Sequence, residues 1–213
     1  MNNPNVDIDE EEDDDDEIKV ILIGETGTGK TSLINTSIGL EFKQKLESTH
    51  SSSIIQKTIT IKDKSYTINL WDTIGQEQYR ALNKIFMKGA KIVIFVYDIT
   101  NRSSFDEIDF WVKTVREMLG DGPVFGLAGN KKDLFQNEQV NEDEGEKKAK
   151  EIGALFKLTS AKNGQMGINE FMGSLLEKYI KKIGEVNDID PSVGHSTSFS
   201  INKKSGKKRI KCC

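Results

Sequence analysis

The chain has almost no cysteine. Its two cysteines stand side by side at 212 and 213, so the body has none with which to form a structural disulfide, which favours a reducing, cytosolic setting. Long apolar runs are missing as well. No window reaches the ~18 apolar residues of a membrane span, and the polar, acidic start contains no signal-peptide core. Each end also lacks charge of one sign. Residues 1–17 carry ten acids and no base, and residues 203–211 carry six bases and no acid. Of the 34 acids and 30 bases in the chain, 24 of each remain for the middle, so the formal charge of −4 averages three unlike pieces. The length of 213 residues suggests one domain with tails. Residues 1–17 read as an acidic disordered extension, 18–183 as the globular domain and 184–213 as a flexible tail.

The most informative stretch is Gly24-Glu25-Thr26-Gly27-Thr28-Gly29-Lys30-Thr31, which satisfies G-x-x-x-x-G-K-[ST] at every fixed position. The β-branched run Ile18–Ile23 before it reads as a buried strand. Ser32-Leu33-Ile34-Asn35 after it can open a helix, over about Lys30 to Ile38. Strand, glycine turn and helix start together make a phosphate cradle, with backbone N–H groups turned inward and the helix N-terminus adding partial positive charge. Gly24, Thr26, Gly27, Thr28, Gly29, Lys30, Thr31 and Ser32 are its candidate binding residues. Lys30 would reach the β- and γ-phosphates, and the Thr31 hydroxyl would ligate Mg²⁺.

The rest of the chain supplies partners for this loop. Gly39 to Ser53 is polar and without period, where a nucleotide-sensing loop belongs. Ile54–Ile61 alternates, Asp63-Lys64-Ser65 reads as a turn, and alternation resumes through Tyr66, Ile68 and Leu70, a hairpin pattern. It delivers Asp72-Thr73-Ile74-Gly75-Gln76. Asp72, an acid at a strand end, is placed for a second Mg²⁺ contact. Gly75 lets its N–H approach a terminal phosphate, and Gln76 carries a donor and an acceptor with which to orient water. Tyr79–Lys88 reads as an irregular helix and Lys91–Tyr97 as a buried strand. Ser103–Leu119 reads as a helix capped by Ser103, with Phe105, Ile108, Trp111, Val112, Val115 and Leu119 as core. Val124–Gly129 is a Gly- and Ala-rich strand of the kind that lets a ligand or backbone come close. Asn141–Gly153 is a charged helix, Leu155–Leu158 a short strand, and Met166–Ile183 the last helix. The alternation predicts an α/β fold, a doubly wound, mostly parallel six-stranded sheet with helices on both faces, in which ligands bind at the carboxyl ends of strands.

Asn130-Lys131-x-Asp133 points to the base. A carboxylate at Asp133 can accept from the N1–H and 2-amino group of guanine, a pair that adenine lacks. Asn130 can approach the base or tie neighbouring loops together. The stem of Lys131 can cover one face of the ring. The N–H of Ala161, in Ser160-Ala161-Lys162, can donate to O6.

With these motifs in place, residues 19–183 resemble the Ras superfamily of small GTPases, and within it the Rab family. Gln78-Tyr79-Arg80-Ala81-Leu82, Lys88-Gly89-Ala90, Tyr97-Asp98-Ile99-Thr100-Asn101-Arg102-Ser103-Ser104-Phe105 and the final Cys212-Cys213 carry the Rab-like likeness. The resemblance implies GTP/GDP and Mg²⁺ binding, slow GTP hydrolysis with Lys30 and Gln76 as catalytic residues, and a metal set of Thr31, Thr49 and Asp72. It implies a switch in vesicle traffic served by an activating protein, an exchange factor and effectors, on the cytosolic face of an internal or plasma membrane, with both terminal cysteines prenylated. No nucleic-acid partner is expected, and the chain is expected to be monomeric. Two departures stand out. His50-Ser51-Ser52-Ser53 replaces the usual Ile-Gly-Val-Asp after Thr49, and Ile74 replaces the usual alanine before Gly75. They leave open a non-switching, nucleotide-bound scaffold. Before the cysteines, Lys203, Lys204, Lys207, Lys208, Arg209 and Lys211 add attraction to an anionic leaflet.

Overall fold

The structure, a computed structural model, describes residues 17–44, 53–72 and 86–187. Its strands are β1 Ile18–Ile23, β2 Ser53–Ile61, β3 Lys64–Asp72, β4 Ile92–Asp98, β5 Val124–Asn130 and β6 Leu155–Leu158. The helices among these residues are α1 Lys30–Ser37, α2 Arg102–Asp106, α3 Ile108–Leu119, α4 Glu142–Ile152 and α5 Met166–Asn187. The strands form one sheet of order β2-β3-β1-β4-β5-β6, in which only the β2–β3 pair is antiparallel. This is the doubly wound α/β arrangement that the alternation of elements predicts.

Burial explains the strand sequences. β4 and β5 are buried at every position, and such strands read as continuous apolar runs because both sheet faces are covered. Successive side chains point to opposite faces. Ile21, Ile23, Val93 and Phe95 thus join one core with α3 and α4, while Val20, Leu22, Ile94 and Val96 join another with α1 and α5. β2 lies at the sheet edge and keeps the alternating pattern of a half-buried strand. Asn141 caps α4 with a full capping box to Glu144, and Gly153 closes it in the left-handed conformation, which accounts for the ends of the charged helix. Among the described residues no helix is long and apolar enough to cross a membrane.

Several expectations need correction. The hairpin turns at Lys62-Asp63, both at positive φ (46° and 65°), so Lys64 and Ser65 belong to β3 rather than to the turn. A two-residue turn of this hand matches the twist of the flanking strands. The helix expected over Ser103–Leu119 is two helices, interrupted at Glu107, and its cap is Asn101. Asn101 has the extended backbone that a cap needs and accepts from Ser104 N, whereas Ser103 is already inside the helix. The glycines of β5 admit side chains rather than a ligand. A Cβ at Gly126 would stand 2.8 Å from Leu175 and 2.9 Å from Phe171 of α5, and one at Gly129 would stand 2.6 Å from the Tyr97 hydroxyl. α5 runs to Asn187, past the expected end at Ile183, because one interior glycine, Gly184, costs only about 1 kcal/mol. A 3-10 helix over Lys132–Asn137 was not anticipated by any periodicity. The helix expected at Tyr79–Lys88 lies almost wholly outside the described residues, as does the acidic extension.

Candidate functional site

The turn after β1 is built from two close approaches. At Gly24 (φ 154°) a Cβ would lie 2.1 Å from the Val96 carbonyl oxygen, and at Gly29 (φ 93°) one would lie 2.4 Å from Asn130 Nδ2. Both positions admit only glycine. The loop so curled delivers Lys30 at the start of α1, where its Nζ donates to Gly24 O (2.8 Å) and Glu25 O (2.9 Å). Thr28 is buried and its hydroxyl donates to Glu25 O at 2.9 Å. Thr26 and Gly27 form the exposed tip, and Ser32 is half-buried in the first turn of α1.

Beside the loop, Asp72 ends β3. The Thr31 hydroxyl donates to its Oδ2 at 2.7 Å. Asp72 is only 2% exposed, and its Oδ1 has no hydrogen-bond partner among the described residues. Burial pushes the Asp72 carboxyl above the usual carboxylate range, against the Thr31 hydrogen bond and the Lys30 charge. Burial also pushes the Lys30 ammonium down to about 8, against the charges of Asp72 and Glu25. Both groups are drawn toward neutrality by the same cause. Phosphate oxygens beside Lys30 and a divalent cation beside Asp72 would each favour the charged form. Hydroxyl and carboxylate oxygens are the ligands Mg²⁺ prefers, and an unpartnered buried carboxylate oxygen suits it. No cluster of three His, Cys, Asp or Glu is present among the described residues, so a cation here would rest on Thr31, Asp72 and oxygens of the bound phosphates.

The second half of the site lies at the ends of β5 and β6. Asn130 is 1% exposed. Its Nδ2 donates to Thr28 O at 2.8 Å, and its Oδ1 accepts from the Thr159 hydroxyl at 3.3 Å. Of the two roles open to it, it takes that of tying loops together. Lys131 Nζ pairs with Asp98 Oδ2 at 2.6 Å. The Ser160 hydroxyl donates to Asp133 Oδ1 at 2.5 Å and accepts from Asn163 N. Ala161 is buried, its carbonyl accepting from Thr36 of α1 at 3.1 Å, and Lys162 is exposed. The Ras family model matches residues 19–181.

This chain belongs to the Ras family.

Members of the family are in general small GTPases that bind guanine nucleotides with Mg²⁺. In this Ras-family domain the phosphate loop, Asp72 and the Asn130–Asp133 and Ser160–Lys162 segments converge on one sheet edge. Thr49, Gly75, Gln76, Cys212 and Cys213 lie outside the described residues. Two supporting residues were given no role at the site by the motifs. Thr159 holds Asn130, and Asp98 holds Lys131. Asp98 did leave a signal, since it closes an otherwise apolar strand as Asp72 does. Thr159 left none beyond its place before Ser160.

Asn130 joins two loops through one side chain. Asn130→Ala strips the partners from Thr28 O and Thr159 Oγ1, both on buried residues, and opens a cavity beside Gly29. Each orphaned group costs about 1–3 kcal/mol. We expect a loss of roughly 2–4 kcal/mol in urea unfolding of the GDP-loaded protein; a loss under about 1 kcal/mol would show that the tie is dispensable.

Proposed function

We propose that this chain is a Rab-like switch. It binds GTP and GDP with Mg²⁺, hydrolyses GTP slowly to GDP and phosphate, and regulates vesicle traffic from the cytosolic face of an internal or plasma membrane. The observation that carries the guanine reading is the Ser160–Asp133 bond, which fixes an acceptor carboxylate at the sheet edge that holds Lys30, Thr31 and Asp72. An adenine site would bury that acid without its pair of donors.

The described geometry supports the roles of Lys30, Thr31 and Asp72, and the family likeness supports those of Thr49, Gly75 and Gln76. Lys30, whose Nζ donates to two loop carbonyls, would donate hydrogen bonds to phosphate oxygens. The Thr31 hydroxyl donates to Asp72, and its oxygen has lone pairs that a cation could take. Thr31 and Asp72, with Thr49, are the residues that would hold Mg²⁺, whose charge when bound offsets that of the phosphates. Gln76 orients the attacking water, and Gly75 admits the terminal phosphate. The γ-phosphate would hold the 39–53 and 73–88 segments, and its loss would release them. The body, 18–183, carries this chemistry. The tail from 184 carries the basic cluster and Cys212-Cys213, two lipid sites where stable anchoring needs two chains or one chain plus a basic patch. Activating protein, exchange factor and effectors complete the cycle of a monomer.

A scaffold that holds nucleotide without switching is the second reading. His50-Ser51-Ser52-Ser53, beside Thr49, favours it. Single-turnover hydrolysis separates the two. The switch predicts GTP turnover near ~10⁻⁴–10⁻³ s⁻¹ and no ATP binding; tight GTP binding with no turnover, even with a Rab-activating protein, selects the scaffold. Gln76→Leu is expected to slow hydrolysis by about 10-fold or more with GDP binding unchanged. Unaltered turnover would remove Gln76 from its role.

A further inference from the structure

Asp98 and Asn130 are the last residues of β4 and β5 and stand directly opposite each other in the ladder. The chain leaves Asn130 into Lys131 at φ 66° and ψ 35°. Among the described residues the only other non-glycine residues at positive φ are Lys62 and Asp63 of the hairpin turn. A β-carbon in this conformation is crowded, so something must hold Lys131 there. Its backbone is stitched on both sides: Lys132 N donates to Thr159 O (3.0 Å) and Leu134 N to Lys131 O (2.8 Å). Its side chain ends on Asp98 Oδ2 at 2.6 Å.

Asp98 is fixed before Lys131 reaches it. Its Oδ1 accepts from Thr100 N (2.9 Å) and from the Thr100 hydroxyl (2.7 Å), and the residue is 7% exposed. The four methylenes of Lys131 are therefore pinned at both ends, at a strained backbone and at a rigid carboxylate. One side of the lysine stays open, since its side chain keeps 33% of its exposure. Asp98 itself, with 9% of its side chain exposed, offers little surface to a base or a phosphate.

We propose that Asp98 is a positioning residue for the purine: it holds the apolar stem of Lys131 as a fixed platform for the ring, and so sets how long the nucleotide stays. This rests on the guanine-nucleotide reading above. Asp133, which would read the 2-amino group, is held by Ser160 and not by this pair. The platform and the base code are thus separable.

The test uses the full chain loaded with fluorescent GDP or with fluorescent IDP, whose hypoxanthine lacks the 2-amino group. Asp98→Asn keeps an oxygen for Thr100 and loses the charge that anchors Lys131. We expect release of both nucleotides to quicken by the same factor, about 10-fold, with the GDP-to-IDP ratio unchanged. Lys131→Met keeps an apolar stem and loses the anchor, so it should act alike, and the double variant should be no faster than the faster single one. Asp98→Glu should recover part of the loss. Wild-type release rates in Asp98→Asn, or faster release of GDP but not of IDP, would overturn the proposal; so would additive effects in the double variant. If Asp98→Asn does not fold, Lys131→Met and its GDP-to-IDP ratio decide. Should the wild-type chain hold ADP and not GDP, the guanine reading fails while the platform is still judged by ADP release. A chain that holds no nucleotide overturns both.

Discussion

Asp133→Asn is expected to reverse the base preference of the site. The carboxylate offers two acceptors to guanine N1–H and the 2-amino group. An amide offers one acceptor and one donor, so an N–H₂ group then faces guanine's amino group. Losing one charge-assisted bond and leaving buried donors opposed costs about 4 kcal/mol, or roughly 10³-fold in GDP affinity. Xanthine carries a carbonyl where guanine carries the amine, and it accepts what the new amide donates. Xanthosine diphosphate should therefore overtake GDP in competition titrations. The Ser160 hydroxyl, 2.5 Å from Asp133 Oδ1, selects the rotamer by keeping the amide oxygen on its own side. An Asp133→Asn protein that still prefers GDP would mean that the acid does not read the base.

Lys30→Met should produce the largest opposed effects on binding and on stability. The lysine is buried, and its ammonium is pushed down to about 8 from the ordinary 10.5, by burial first, with Asp72 and Glu25 pulling the other way. The unfolded chain keeps the proton to the ordinary value. Between about pH 8 and 10.5 the folded protein thus binds fewer protons than the unfolded one, and stability rises with pH across that window. Below it, the charged lysine costs the fold up to about 3 kcal/mol. Methionine keeps the stem and removes the charge. Without nucleotide the variant should be as stable as the wild type or more so at pH 7, and the rise between pH 8 and 10 should flatten in urea unfolding. Nucleotide affinity should fall by at least about 100-fold, since two charge-assisted bonds to phosphate are lost. A variant that binds GDP normally would displace Lys30 from the site. An unchanged slope with pH would assign the rise to other lysines that burial also pushes down, Lys19 and Lys57 among them.

The legibility of the fold and the site had a physical limit. β1, β4 and β5 are unmistakable because burial on both faces demands apolar side chains at nearly every position. The phosphate loop is legible because Gly24 and Gly29 answer to close approaches, one to the Val96 carbonyl and one to the Asn130 side chain, that leave no room for a Cβ. Asp72 stands out as an acid that closes an alternating apolar strand, and Asp133 by its spacing from Asn130. What stayed hidden depends on geometry that composition does not encode. The break at Glu107 is one residue of altered ψ in an otherwise helical sequence. Gly126 looks like room for a ligand until Leu175 and Phe171 are seen to fill it. Asn130 could have touched the base or the loops, and only its distance to Thr28 O decides between them. Asp98 and Thr159 act through a neighbour, so no motif assigns them a role at the site.

The Asn130 tie has a mechanical side. One amide grips the phosphate loop at Thr28 and, through Thr159, the segment that leads into the base-reading turn. The loops that would grip a nucleotide at its base and at its phosphates are therefore pinned to each other through Asn130. A regulator that levers either loop away from the sheet pulls on the other through that pin. Prising at one end of a bound nucleotide is expected to loosen both, so that an exchange partner would need a foothold on only one side.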